Sequence, residues 1–263
     1  MGVVTTITLD KVNTLFPSYN FTNISATSHG VIDTTYIVSD EKQSYILKKY
    51  ERSIQDKIEE DIKLLEYLKK DGLNVSRYLN SSQNWYLYTK LKGREPKTIQ
   101  SYHIQALARF MSKFHNASSS FTCKSDFLNN YNLKDMLNYT KKEHYFYYKK
   151  LQTIHSYKPT NDGFIHGDIF KDNSVFDKQK IAVFDFIDGG CGSFVFDIAV
   201  ALLSFNKNSS LSFIHLFLNT YNQTSIQKIE KKELLKTITI ASQFYALLRI
   251  NKYKNISKAK ELI

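Results

Sequence analysis

Residues 164–173 constrain the fold of this chain most strongly, because polar residues follow an apolar run there at a fixed spacing. The apolar lead-in ends in His166-Gly167-Asp168, and Asn173 follows Asp168 at an Asp-x-x-x-x-Asn spacing. A second acidic residue, Asp185, stands at the end of the next apolar strand and is followed by phenylalanine. We therefore expect a loop and a strand end that contribute polar side chains to one site.

These residue types are the ones that phosphoryl transfer requires. Charge spreads over phosphate oxygens during the reaction, so catalysis depends on placement and neutralisation. Asp168 is the predicted base that orients an acceptor hydroxyl, and Asn173 and Asp185 are the predicted oxygen ligands of Mg²⁺. Each residue alone has a structural explanation, since Asp and Asn are common in turns and caps. The alternative for His166 is that it only ties the loop to the core.

The first part of the chain reads as a small β-rich unit. Residues 34–38 and 45–47 are rich in β-branched and aromatic types and flank a polar turn, which predicts a hairpin. Apolar residues recur at helical spacing over residues 53–70, before the stop signal Asp71-Gly72. Residues 85–89 alternate as a strand and run into Leu91-Lys92-Gly93, where we place the boundary between residues 1–92 and 93–263.

The second part reads as mostly helical. Helical spacing of apolar residues predicts helices over about residues 99–115, 139–151 and 231–253. Short strands at 175–176 and 181–184 flank a polar turn between the two predicted site segments. The predicted fold class is therefore α+β, with a small β-rich unit, residues 1–92, followed by a larger helical unit, residues 93–263.

The composition describes a folded chain without a membrane span. The 18 Phe and 18 Tyr exclude disorder, and no apolar run approaches the roughly 20 residues of a membrane helix. The first residues lack the pattern of a secretory signal, so we expect a cytoplasmic protein that does not bind membranes. Cys123 and Cys191 are too few for a disulfide framework and have no partner at CxxC spacing, so we expect reduced thiols.

The formal net charge of +11 does not by itself indicate a nucleic-acid surface. Lysines are scattered along the whole chain, with doublets as the only local concentration. Scattered lysines usually solvate a surface, so we expect no nucleic-acid partner. The charge would also attract an anionic ligand such as ATP.

With these motifs, the chain resembles the superfamily of aminoglycoside phosphotransferases and choline kinases, which has a two-lobed protein-kinase-like fold. The resemblance covers nearly the whole chain and includes Phe196-Asp197-Ile198-Ala199. It implies ATP and Mg²⁺ as cofactors, a small hydroxylated substrate, and a bracing role for Asp197 beneath the catalytic loop.

The resemblance also implies a nucleotide site in the first unit. The family's phosphate-binding lysine falls on Lys48, although Lys49 competes with it, and strand alternation allows only one of the two to face the site. The partner carboxylate falls on Asp61, with Glu60 or Glu59 as rivals if the helix register differs.

The remaining nucleotide contacts are implied at two turns. Gly30, with backbone amides and the hydroxyl of Thr34 or Thr35, would cover the phosphates. Leu91 and Gly93 match the family's hinge, where backbone groups would read the adenine edge.

Several segments resemble the homoserine kinases of this superfamily. These segments are Val4 to Asp10, Gly30-Val31-Ile32-Asp33-Thr34-Thr35-Tyr36, and Asp168-Ile169-Phe170-Lys171-Asp172-Asn173. The chain departs from that group after Asp185, where Phe186-Ile187-Asp188 replaces a Phe-Tyr-Phe pattern, and in having Lys48, which the group often lacks. Asp188 is a candidate ligand for a substrate ammonium group, or else a solvated turn carboxylate.

Other acceptors and functions stay open at this point. The basic C-terminal tail disfavours a polycationic aminoglycoside. The aromatic run Tyr145-Phe146-Tyr147-Tyr148 suits either a choline cage or a helical core. A catalytically inactive kinase-like binding module and a nucleic-acid-binding protein are the non-enzymatic alternatives, and the oligomeric state is expected to be monomer or homodimer.

Overall fold

The computed structural model describes residues 4–27 and 33–262 of the chain. These residues form two compact units. The first runs to Glu95 and takes in Val175–Lys178 and Ala182–Ile187, and the second consists of Pro96–Ser174, Gln179–Ile181 and the chain from Asp188 onward. We expected one boundary, between residues 92 and 93. The two later segments, Val175–Lys178 and Ala182–Ile187, also belong to the first unit, and the sequence did not predict this.

The first unit contains a five-stranded antiparallel sheet with the strand order β1-β2-β3-β5-β4. Its strands are β1 (Asn23–Ala26), β2 (Thr34–Ser39), β3 (Ser44–Lys49), β4 (Tyr78–Ser82) and β5 (Trp85–Thr89). The predicted hairpin is β2 and β3, and its turn is closed by Asp40, whose carboxylate accepts hydrogen bonds from the backbone of Lys42 and Gln43 at 2.8 Å. Local alternation and turn chemistry therefore specify this part of the sheet.

In the described residues of the first unit, two helices accompany the sheet, α1 (Leu9–Leu15) and α2 (Gln55–Lys70). The short α1 was not predicted; the side chain of Thr8 caps its start by accepting from the Lys11 backbone. It packs on one face of the sheet, in a buried cluster formed by Val12, Leu15, Phe16, Phe21, Tyr36, Val38, Tyr45, Leu47, Trp85 and Leu87. The strand positions in this cluster alternate, so the intervening residues of β2, β3 and β5 face the opposite side.

The predicted helix at residues 53–70 is α2, and it begins at Gln55. Its buried face consists of Ile58, Asp61, Leu64, Leu65 and Leu68. The helix ends where expected, because Gly72 adopts a φ of +75° after Asp71.

The remaining strands are β6 (Gly163–Ile165), β7 (Ser174–Asp177), β8 (Lys180–Val183) and β9 (Gly190–Gly192). Strands β7 and β8 form the predicted hairpin, and β6 pairs with β9 in antiparallel fashion. Sequence pattern alone does not reveal the pairing of β6 with β9, since the two strands are short and separated by the hairpin.

Helices make up most of the second unit. They are α3 (Ser101–Ser118), α4 (Leu133–Glu143), α5 (Tyr145–Leu151), α6 (Phe194–Phe205), α7 (Leu211–Thr224), α8 (Lys231–Asn251) and α9 (Ile256–Lys260). Helix α3 packs on α7, and α6, which is buried over most of its length, packs on α8. Among the residues that the structure describes, no helix combines the length and apolar character needed to cross a membrane.

The prediction of a single helix over residues 139–151 is wrong. Residues 139–151 form parts of two helices rather than one, because His144 leaves the helical conformation with φ −144° and ψ 56°. Its backbone N–H ends α4 by donating to Thr140, and its carbonyl accepts from Tyr147 and Tyr148 at the start of α5. The α+β class, with a β-rich first unit and a helical second unit, is confirmed.

Candidate active site

The residues predicted to form the site fall into two sets, one in each unit. In the first unit, Lys48 lies in the central strand β3, where the register places it opposite Thr35 on one side and Tyr86 on the other. This face of the sheet is opposite to the cluster beneath α1. The Lys48 ammonium lies 2.5 Å from Oδ1 of Asp185 and forms an ion pair with it.

The environment of Lys48 keeps it charged. Burial lowers the pKa of the ammonium, but Asp185, and to a smaller extent Asp33 and Asp61, raise it, and the net change is upward. Lys48 is therefore a fixed positive charge on this face, as a phosphate ligand must be.

Lys49 points to the other face. Its ammonium donates to the Thr5 hydroxyl at 3.1 Å, lies 3.9 Å from the Glu51 carboxylate, and sits 5.8 Å from the centre of the Trp85 ring. Strand alternation thus separates the two lysines, and Lys48 is the one that meets the acidic residues of the site.

Asp61 is the carboxylate of α2 that faces the interior, whereas Glu59 is exposed and Glu60 is half-buried. It lies close enough to raise the pKa of the buried Tyr50 and Tyr88 hydroxyls, after the larger effect of burial. The ion pair of Lys48 in this structure is made with Asp185, so Lys48 and Asp61 interact through their charges rather than through a shared hydrogen bond.

Asp185 is held in the first unit by β8. The last residue of that strand, Val183, forms a parallel bridge with Val75, and its N–H donates to Asn74 at 3.2 Å. Two residues later, Asp185 adopts a φ of +69°, which is uncommon for a residue with a side chain. Such conformations persist where the surroundings impose them and cluster at functional sites.

Thr34 is one of the residues expected near the phosphates, and the structure gives its contacts. Its side chain is fully buried, and its hydroxyl donates to Glu51 at 2.7 Å while accepting from the backbone of Val4 and Thr5. Thr34 therefore anchors the N-terminal segment, because its hydroxyl already has these partners. Thr35, the alternative, shares the face of Lys48. Gly30 lies outside the described residues.

Gly93 and Leu91 belong to the segment that leads out of β5. The backbones of Arg94 and Phe176 exchange two hydrogen bonds, at 3.1 and 2.9 Å, which bring this segment against β7. Gly93 has a φ of +129°, and a Cβ atom there would lie 2.7 Å from the Phe176 carbonyl group. Glycine is thus required for the close approach to β7; a role of Leu91 and Gly93 in reading adenine stays a prediction.

In the second unit, Asp197 holds the loop that follows β6. One carboxylate oxygen accepts from the Gly167 backbone at 2.7 Å, and the other accepts from the His166 backbone at 3.2 Å. Asp197 is completely buried in α6, so these charge-assisted bonds are shielded from water. The geometry matches the bracing role that the resemblance implied for this residue.

Glycine is needed within the same loop. Gly167 has a φ of +70°, and a Cβ atom there would overlap the ring of Phe127. The loop can therefore turn only at a glycine, and the turn presents Asp168 half-buried, next to the buried His166.

Asp168 and Asn173 are joined directly. The Asn173 side-chain nitrogen, as assigned from the hydrogen-bond network, donates to the backbone oxygen and to Oδ2 of Asp168, both at 2.9 Å. Both amide protons are then used, and the amide oxygen is the part of Asn173 that can bind a cation. An amide and a carboxylate oxygen are ligands that Mg²⁺ accepts, so the types of Asn173 and Asp185 fit this ion.

Asp188 lies in the turn that leads into β9 and is half-buried. It belongs to the second unit. Its role as a ligand for a substrate ammonium group stays a prediction.

Two buried residues of the site were missed. His115 of α3 bonds to Asp197 through Nε2 at 3.1 Å and to the Tyr221 hydroxyl through Nδ1 at 2.8 Å. Tyr245 of α8 hydrogen-bonds Asp168. Neither contact has a signal in the sequence, because each joins residues far apart along the chain.

The cysteine prediction is also wrong: Cys123 and Cys191 form a disulfide, with their Cα atoms 5.7 Å apart. The backbone of Cys191 donates to Ser125 at 2.9 Å and accepts from Phe127 at 2.7 Å, which brings the segment after α3 beside β9. The pairing arises from tertiary structure, and cysteine count and spacing could not show it.

Known proteins match most of the length of this chain. A family model described as "Phosphotransferase enzyme family" matches residues 23–230. The homoserine kinase of Polaromonas naphthalenivorans (strain CJ2) is 22% identical over 228 residues, covering 77% of this chain and 72% of that protein. The homoserine kinase of Methylobacillus flagellatus is 21% identical over 251 residues, covering 84% of this chain and 78% of that protein.

Solved structures show the same fold. The amicoumacin kinase hAmiN, in complex with AMP-PNP, Ca²⁺ and Ami, superposes with a TM-score of 0.72 at 19% identity, covering 96% of this chain and 88% of that one. The macrolide 2'-phosphotransferase MphH from Brachybacterium faecium gives a TM-score of 0.70 at 13% identity, covering 97% and 98% of the two chains. With the family match spanning most of its length, the chain belongs to the phosphotransferase enzyme family.

Proposed function

We propose that this protein is an ATP- and Mg²⁺-dependent kinase that phosphorylates the hydroxyl group of a small molecule, with homoserine as the first candidate. The observation that carries the proposal is the joined pair of Asp168 and Asn173 on a loop fixed by Asp197. Nucleotide binding is supported by the family and by relatives solved with an ATP analogue.

The proposal assigns each residue a step. Asp168 accepts the proton of the acceptor hydroxyl while that oxygen bonds to the γ-phosphorus and the bond to the β-phosphate oxygen breaks, which releases ADP. Lys48 binds the phosphates of ATP. Asn173 and Asp185 hold Mg²⁺, which when bound neutralises phosphate charge.

Homoserine is favoured by the curated relatives, which are homoserine kinases at 21–22% identity. Its ammonium group would need a carboxylate, and we propose Asp188 for that contact. The protein is further proposed to act in the cytoplasm, as a monomer or homodimer, without membrane or nucleic-acid partners.

A choline-type acceptor is less well supported. The ammonium groups of Lys149 and Lys150 lie 5.1 and 5.2 Å from the ring centres of Tyr145 and Phe146, and Lys141 lies 5.5 Å from that of Tyr148. These rings already carry cations, so a quaternary ammonium group would meet like charges there.

An acceptor panel tests the proposal. ADP release from Mg-ATP is measured with L-homoserine, choline, ethanolamine, methylthioribose and an aminoglycoside, and phosphorylated products are identified by mass spectrometry. We expect L-homoserine to give the highest kcat/KM. Transfer to the aminoglycoside alone would replace the proposed substrate, and ATP binding without transfer to any acceptor would indicate an inactive binding module.

A further inference from the structure

The hydroxyl of Tyr245 lies against the catalytic loop. It donates to Oδ1 of Asp168 at 3.0 Å and also contacts the carbonyl oxygen of Gly167. Its ring meets that of Phe170 edge to face, with 4.8 Å between the centres. One side chain of α8 thus touches three positions of the loop, although Tyr245 is 77 residues from Asp168 along the chain.

The two oxygens of the Asp168 carboxylate are held from different sides. Oδ1 accepts from Tyr245, and Oδ2 accepts from the side chain of Asn173 at 2.9 Å. Two donors on separate elements fix both the rotation of the carboxylate about its bond and its position relative to the loop. A general base must be held in this way, because small displacements from the reacting hydroxyl reduce the rate strongly.

The environment keeps Tyr245 a hydrogen-bond donor. The residue is 8% exposed, and burial together with the negative charge of Asp168 raises the pKa of its hydroxyl well above the usual range. The hydroxyl proton has two acceptors within reach, the Gly167 carbonyl oxygen and the Asp168 carboxylate, and a carboxylate is the stronger type of acceptor.

We infer that Tyr245 is a positioning residue for phosphoryl transfer, which holds the carboxylate of Asp168 in the orientation that accepts the acceptor proton. This inference rests on the proposed function, since it assigns Tyr245 a role only through Asp168. It adds a residue that lies in the C-terminal helical part of the chain, far from the motifs of the loop.

Tyr245→Phe tests the inference, because it keeps the ring and its contact with Phe170 and removes only the hydroxyl. Tyr157→Phe is the matched control: Tyr157 also lies in the second unit, stacks on Phe196, and is not in hydrogen-bond contact with the loop in the structure. ADP release from Mg-ATP is measured for both variants with L-homoserine and, without an added acceptor, with water. Thermal unfolding and ATP binding by calorimetry are measured in parallel.

We expect Tyr245→Phe to lower kcat by about 10- to 100-fold with a Kd for Mg-ATP within about twofold of the wild type. A merely structural role would not produce this separation of kcat from nucleotide binding. Tyr157→Phe is expected to keep kcat within about twofold of the wild-type value. This should hold even if its midpoint of thermal unfolding falls as far as that of Tyr245→Phe.

Three results would overturn the inference. They are a kcat of Tyr245→Phe close to that of the wild type, an equal loss in Tyr157→Phe, or a loss of kcat fully matched by a loss of ATP binding. Asp168→Asn separates this failure from failure of the proposed function. If Asp168→Asn is inactive and Tyr245→Phe is fully active, only the inference about Tyr245 fails; if Asp168→Asn retains transfer, both fail.

Discussion

The ammonium of Lys48 forms an ion pair with the carboxylate of Asp185 at 2.5 Å, between the central strand of the first unit and the chain after β8. The two residues are 137 positions apart, and each was predicted separately as a ligand of the nucleotide complex. In the structure they are partners of one another, so the predicted phosphate-binding cation and the predicted metal-binding anion share one polar cluster. Substitution of Lys48 and Asp185 one at a time can test the role of each residue.

Lys48→Ala should reduce kcat/KM for ATP by about 100-fold, because it removes a fixed positive charge from the phosphates. Steady-state kinetics with varied Mg-ATP measures this change. Lys49→Ala is the control, since Lys49 contacts Thr5, Glu51 and Trp85 on the other face. An equal loss in the two variants, or a loss in Lys49→Ala alone, would show that the strand does not present Lys48 to the nucleotide.

Asp185→Asn should raise the Mg²⁺ concentration that gives half-maximal activity, because an amide is a weaker ligand than a carboxylate. Titration of activity with Mg²⁺ at fixed ATP measures the shift. Asp177→Asn serves as the matched variant, because Asp177 lies in the β7–β8 hairpin that precedes Asp185, and its carboxylate pairs with Lys92 at 3.2 Å. Identical Mg²⁺ curves for the wild type and Asp185→Asn would argue against Asp185 as a ligand.

Asp197→Ala should lower the free energy of unfolding by about 2–5 kcal/mol, because it leaves buried backbone N–H groups of His166 and Gly167 without their acceptor. Urea unfolding measures this loss. Asp172→Ala removes an exposed carboxylate from the same loop and should change stability by less than about 0.5 kcal/mol. Similar small effects for both variants would contradict the bracing role of Asp197.

The disulfide between Cys123 and Cys191 should stabilise the folded chain by about 4 kcal/mol, from the entropy of closing a loop of 68 residues. Unfolding by denaturant with and without reductant, and in Cys123→Ser, measures this contribution. Titration of free thiols in the native protein gives an independent check. Two reactive thiols before reduction, together with unchanged stability after it, would mean that the cysteines are not paired.

The sequence predicts the parts of the fold that depend on local pattern. Alternation and turn residues are enough for β2, β3 and β5, and helical spacing is enough for α2 and α3. The break at His144 is not visible in this way, because no proline or glycine interrupts residues 139–151. The short α1 has seven residues and was missed for lack of length.

In the candidate site, too, local spacing could be recognised in the sequence, whereas contacts between distant elements could not. Asp168, Asn173 and Asp185 were found from their spacing, which is a local property of the chain. The contacts of Tyr245 with Asp168 and of His115 with Asp197 depend on helix packing and have no counterpart in the motif. The contact of Thr34 with Glu51 likewise depends on the pairing of β2 with β3, so the sequence alone does not reveal it.

Transfer of the γ-phosphoryl group of radiolabelled Mg-ATP to L-homoserine, compared between the wild type and Asp168→Asn, tests the central claim most directly. We predict labelled O-phosphohomoserine with the wild type and a loss of at least about 100-fold with Asp168→Asn, while both proteins unfold at the same temperature. Equal labelling by the two proteins would contradict the assignment of Asp168, and wild-type protein that binds Mg-ATP but leaves homoserine unlabelled would contradict the proposed acceptor.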